Sequence, residues 1–165
     1  HVSSLYYDVL GSIYVDDDNI KNAEKYFLKS IQFNEKTTSL HEKNSSPYSE
    51  LGDIYLASNQ IENAEKYYEY AAQISELQNG VNHQDTVDLY KRLHNLYSLS
   101  GDIEKEREYF KKQENYFRSV IQLYESHIGE NNPDLTEPLG SLGKLYLDNN
   151  MFEDAELCFV RGLNV

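Results

Sequence analysis

Large apolar residues recur along this chain at steps of three and four, and short polar breaks interrupt them. Tyr48, Leu51, Gly52, Tyr55 and Leu56 form one such face; Ile61, Ala64, Tyr68, Ala71 and Ala72 form the next, with Ser58-Asn59-Gln60 between them. That step is the period of an α-helix seen from one side. The same reading predicts eight helices, at about 3–16, 20–40, 46–58, 61–78, 83–100, 103–127, 134–148 and 152–164. Asn and Gly in the breaks provide the left-handed conformations in which helices end, and Asp102 can cap the helix that follows it. Pro47, Pro133 and Pro138 stand near helix starts, where a missing N–H costs little.

The helices come in pairs because the sequence repeats itself. Leu10-Gly11-Ser12-Ile13-Tyr14, Leu51-Gly52-Asp53-Ile54-Tyr55, Leu93-His94-Asn95-Leu96-Tyr97 and Leu142-Gly143-Lys144-Leu145-Tyr146 are four versions of one block, their second residues 41, 42 and 49 positions apart. Twelve residues after each second position stand Ala23, Ala64, Glu106 and Ala155; sixteen after it stand Phe27, Tyr68, Phe110 and Phe159. Glycine inside a helix costs about 1 kcal/mol relative to alanine, so Gly11, Gly52 and Gly143 imply a close helix crossing, for which Ala23, Ala64 and Ala155 are the expected small partners. A pair this short cannot bury its apolar side alone. Successive pairs must stack, giving an all-α, right-handed superhelical solenoid of about four helix pairs with a concave inner and a convex outer surface. The units fall at about 4–44, 45–86, 87–135 and 136–165, together making one repeat domain over 1–165.

A large residue, then Leu-Gly-x-hydrophobic-Tyr, then Ala and an aromatic resembles the tetratricopeptide repeat. The spacing of 41 to 42 residues, and Asn132-Pro133-Asp134 ahead of a first helix, resemble the longer variant of kinesin light chains. The resemblance covers essentially the whole chain. It implies a non-enzymatic scaffold or adaptor that binds a peptide or partner domain through the concave groove. The competing expectation is an architectural or self-associating segment that positions neighbouring domains with no groove ligand. Lys91 and Asn95 match two positions of the family's clamp for a peptide's terminal carboxylate, but Glu137 and Ser141 stand where further basic residues belong. First-helix spacing gives the groove candidates Asp8, Ser12, Ser49, Asp53, Lys91, Asn95 and Lys144.

The third unit departs from the rest. His94 and Glu106 replace the small pair at the crossing, so either both turn outward or they bond to each other. This unit is also seven residues long over the others, about two helical turns. Its second helix stays apolar through Phe117, Val120, Ile121, Leu123 and Tyr124, and the first helix of the fourth unit is the nearest surface for it. Phe152, Phe159 and Leu163 give the last helix an apolar side that another repeat or a second copy would cover. The chain therefore reads as a piece of a longer array, with self-association expected through the C-terminal end or the helix at 103–127.

Composition narrows the partners. Twenty-eight acidic residues against 15 basic give a formal charge of −13, which argues against binding a phosphate backbone. Residues 45–86 hold seven acids and only Lys66, so a basic or mixed-charge protein segment is expected there. The single cysteine, Cys158, forms no internal disulfide and fits a reducing, cytoplasmic setting. His1, His41, His83, His94 and His127 share no ligand spacing, and Asp16-Asp17-Asp18-Asn19 lacks the glycine and closing glutamate of a calcium loop. No catalytic, metal or cofactor site is expected, and neither nucleic acid nor membrane is an expected partner.

Overall fold

A computed structural model of the protein describes residues 2–37 and 43–165. Its helices are α1 (Val2–Asp16), α2 (Ile20–Thr37), α3 (Ser46–Ala57), α4 (Ile61–Asn79), α5 (Gln84–Ser100), α6 (Ile103–Ile128), α7 (Thr136–Asp148) and α8 (Phe152–Leu163), with a 3-10 turn over Pro133–Leu135 ahead of α7. No strand occurs among the described residues. The expected stretch 38–40 of the second helix, together with His1 and His41, lies outside them. The start expected at 134 is the 3-10 turn instead, because Asn132 Oδ1 accepts from the Asp134 N–H at 2.8 Å and Pro133 sits at the first position.

The polar breaks behave as their residues dictate. Asp18, Asn59 and Asn150 have φ of 54°, 56° and 59°, and Gly101 has 78°, so one left-handed residue reverses the chain in each pair. Asp102 Oδ1 then accepts from Lys105 N at 3.1 Å and caps α6. The breaks span two or three residues, which brings each second helix back along the first.

Two compact units result, His1–Glu106 and Arg107–Val165. In the first, α1 packs on α2, α2 on α3, α3 on α4 and α4 on α5. Phe27, Leu51, Ala64, Ala71, Ile74, Leu93 and Leu96 lie wholly inside it. In the second, Ile121 joins Leu135, Leu139, Leu142, Leu145, Tyr146 and Ala155, flanked by Phe110 and Phe117. The apolar run of α6 thus meets α7 as expected, while Leu123 and Tyr124 remain exposed.

The crossing itself differs from the sequence expectation. A Cβ at Gly11 would lie 2.5 Å from the Phe27 ring, one at Gly52 2.4 Å from the Tyr68 ring and one at Gly143 2.9 Å from the Phe159 ring. The glycine makes room for the aromatic sixteen residues on, not for the alanine twelve on. Ala23, Ala64 and Ala155 are buried nonetheless. In the third pair the expected hydrogen bond between His94 and Glu106 forms, through the main chain of Glu106: His94 is buried, and its Nδ1–H donates to the Glu106 carbonyl at 3.1 Å. A carbonyl can only accept, so that contact fixes the proton on Nδ1.

Candidate interaction surface

Within the first unit, α1, α3 and α5 lie side by side. Asn44 Nδ2 donates to Asp8 Oδ2 at 3.1 Å, tying the entry to α3 onto α1, and Arg92 of α5 pairs with Asp53 of α3. The residue after each crossing position then forms an outward row of Ser12, Asp53 and Asn95. Ser12 and Asn95 are exposed and Asp53 is half-buried. Lys91, one turn before Asn95, is exposed as well. In the second unit Lys144 occupies the matching place on α7 and is also exposed.

Asp8 and Ser49 do not join this row. Both are 9% exposed, because the position three before the crossing turns inward in the first two pairs. Ser49 Oγ donates to the Ser46 carbonyl within its own helix at 2.9 Å. Burial pushes the Asp8 carboxyl above the ordinary aspartate range, against the opposing pull of the Ser30 hydroxyl and the Asn44 amide. Asp53 is also partly spent: Oδ1 accepts the Tyr68 hydroxyl at 2.5 Å and Oδ2 holds Arg92. Neither Asp8 nor Asp53 is therefore a free charge on this surface.

The acidic surplus of residues 45–86 has an internal use that composition did not reveal. Lys105 Nζ sits 2.5 Å from Glu65 and 3.3 Å from Glu69, so two bases of the third pair, Arg92 and Lys105, engage three acids of the second. Glu65 holds the Lys105 ammonium above its ordinary range. Tyr97 completes this cluster, donating to Glu69 at 2.7 Å and to Glu65 at 3.0 Å.

That tyrosine belongs to a series. Tyr55 donates to Glu24 at 2.7 Å and Tyr146 to Glu114 at 2.6 Å. In each case the last tyrosine of the repeated block reaches a glutamate 31 or 32 residues earlier, on the second helix of the preceding pair. Glu24 and Glu65 stand thirteen residues after Gly11 and Gly52, whereas Glu114 stands twenty after His94. The seven additional residues of the third unit thus lie before the contact, in the earlier part of α6. Burial pushes all three phenols up, and the accepting carboxylates push them further. Sequence reasoning passed over this contact, although the Tyr and Glu offsets were there to be compared.

The comparisons with known proteins follow from this geometry. A sequence profile of the tetratricopeptide repeat matches residues 5–37 and 46–76, which are the first two helix pairs. By sequence, these two pairs are tetratricopeptide repeats. Solved structures agree on the fold. BtubC (BKLC) from P. vanneervenii superposes with a TM-score of 0.71 at 20% identity, over 96% of this chain and 61% of its own. MamA gives 0.58 at 18% identity, over 97% of this chain and 76% of its own. A Podosopora anserina putative kinesin light chain with nearly identical TPR-like repeats gives 0.56 at 15%, over 98% and 94%. The chain therefore spans about three fifths of the length of BtubC. No curated protein matches the sequence. Among the described residues the fold is all-helical and of the tetratricopeptide-repeat type, and such repeats support a protein-interaction scaffold in general. No helix among the described residues is long and apolar enough to cross a membrane.

Proposed function

We propose that this repeat array is a non-enzymatic adaptor whose α1, α3 and α5 together receive an extended polypeptide segment. The observation that carries the reading is the outward row Ser12, Asp53 and Asn95, set side by side on three successive first helices with Lys91 beside it. An exposed amide such as Asn95 can donate to a carbonyl and accept from an N–H of the same extended chain. Lys91 supplies a positive charge one turn away. The ligand is a segment of mixed charge rather than a strongly basic one, since Asp8 is buried and Asp53 is paired. The lone Cys158, whose thiol burial pushes up, suits a cytoplasmic protein.

Selection from a random-sequence peptide display library tests this directly. Enriched peptides should bind the wild-type protein, and Asn95→Ala should weaken them by about 1–3 kcal/mol through loss of paired backbone groups. Asp18→Ala, at the far end of the first pair, should leave affinity unchanged. Peptides indifferent to both Asn95→Ala and Lys91→Ala would place binding elsewhere, and a library yielding no binder would favour the architectural reading.

A further inference from the structure

One position of the repeat changes character in the last pair. Fifteen residues after the crossing position stand Tyr26, Tyr67 and Tyr109, and then Cys158. In the first two pairs that tyrosine stacks on the last tyrosine of the repeated block: Tyr26 lies 5.3 Å from Tyr14 and Tyr67 lies 5.4 Å from Tyr55, ring centre to ring centre. In the fourth pair the block ends in Tyr146, and the side chain brought to it is a thiol, which has no ring to stack.

The missing ring leaves a cleft of about 220 Å³ among α6, α7 and α8, wholly within Arg107–Val165. It lies on the side of α8 that faces α6, where Arg161 pairs with Glu125. The buried side chains of Ile121, Leu139 and Leu142 are its apolar floor, with Tyr146 and Cys158 beside them. An apolar cavity of about 150 Å³ holds benzene, and pockets for drug-sized ligands start at about 300 Å³, so this volume suits a single aromatic side chain. At the rim the Arg118 guanidinium, 60% exposed, lies 6.0 Å from the centre of the Tyr146 ring. A second ring entering over Leu139 and Leu142 can take that guanidinium on its face as a cation–π partner.

Charge selects what stands beside the ring. Of the three charged residues that line the cleft, Arg118 and Arg161 are basic and only Asp154 is acidic. Each guanidinium has five N–H donors. Arg118 gives one to Glu114 and one to Tyr146, and Arg161 gives one to Glu125, which leaves donors for an incoming carboxylate.

We infer that this cleft receives an aromatic side chain of a partner polypeptide, in a segment with acidic residues next to the aromatic one. The incoming ring takes the place of the tyrosine that the repeat has exchanged for Cys158. The site uses none of the row around Asn95, so it stands or falls separately from the groove.

Methyl NMR of the 165-residue protein tests this with two probes: p-cresol, the tyrosine side chain alone, and a capped pentapeptide with a central tyrosine between glutamates. Both should shift the methyl signals of Ile121, Leu139 and Leu142 through the ring current. A leucine in the centre of the peptide, or lysines in place of its glutamates, should weaken binding severalfold. Cys158→Tyr should fill the cleft and abolish the shifts, while thermal melts show the variant folded. Cys158→Ala should leave both affinities unchanged, because the thiol takes no part. Arg161→Gln should weaken the peptide a few-fold and p-cresol not at all. The proposal is overturned if p-cresol leaves those three methyls unmoved, or if p-cresol binds and the pentapeptide does not, which would mean a pocket for free phenols. Binding that survives Cys158→Tyr overturns it as well, and so does a Cys158→Tyr protein that fails to fold, since the cleft then holds no ring.

Discussion

Gly52 and Gly140 both sit inside first helices, yet they ask opposite things of a methyl group. A Cβ at Gly52 would meet the Tyr68 ring, which is buried and anchored through its hydroxyl to Asp53, so the ring cannot swing away cheaply. Nothing lies within 4 Å of a Cβ at Gly140. Gly140→Ala should therefore stabilise the protein by up to about 1 kcal/mol through helix propensity. Gly52→Ala should destabilise it by about 1–3 kcal/mol through overpacking, and urea denaturation of the two variants reads both signs. Asp8 offers a pH-dependent case. Its folded carboxyl titrates above the unfolded one, so its neutral form favours folding and that advantage is lost as pH rises from the ordinary aspartate range through the raised value. Asp8→Asn should raise the melting temperature at neutral pH and lose that benefit in acid, below the unfolded pKa. Equal gains at both pH values would mean that ionisation is not the cause.

At the scale of the helix, the junction between pairs rests on a phenol–carboxylate bond more than on exposed ion pairs. Tyr97→Phe, which strips Glu65 and Glu69 of a donor on a buried ring, should cost about 1–2 kcal/mol. Lys105 is 39% exposed, so Lys105→Met should cost less, about 0–1 kcal/mol, and that cost should shrink further in high salt. Thermal melts of both variants at two ionic strengths check the order. The helices themselves were legible in the sequence to within a few residues, because their period and the Asn and Gly breaks are local signals. The partners across a crossing were not. Ala23 and Phe27 both recur at fixed offsets from Gly11, and only coordinates show that the ring, rather than the methyl, lies over the glycine. The outward row was half legible for a related reason. Ser12, Lys91, Asn95 and Lys144 are exposed as helical spacing predicts, but Asp8 and Ser49 turn inward, since spacing alone does not fix how each helix is rotated about its axis.

For the molecule as a whole, stability should be distributed by position. An array of pairs is held by nearest-neighbour contacts, so the ends open before the middle. α4 is packed against both α3 and α5, whereas α1 and α8 are packed on one side and expose Ile13 and Leu163 on the other. Hydrogen exchange should find the amides of α1 and α8 least protected at low protein concentration and those of α4 most protected. Uniform protection along the chain would contradict this ordering.

The bonded tyrosines also give the protein a built-in optical signal. With 15 tyrosines, no tryptophan and only weakly absorbing phenylalanines besides, its near-ultraviolet absorption and emission come chiefly from phenols, and Tyr55, Tyr97 and Tyr146 each hand a proton toward a carboxylate. A phenol so bonded absorbs at slightly longer wavelength and emits weakly, because the excited ring loses its proton readily to the acceptor. Parting a junction should therefore brighten tyrosine fluorescence and shift the absorption edge to the blue, without any added dye. In alkali, the three junction rings should resist ionisation to phenolate until the helices separate.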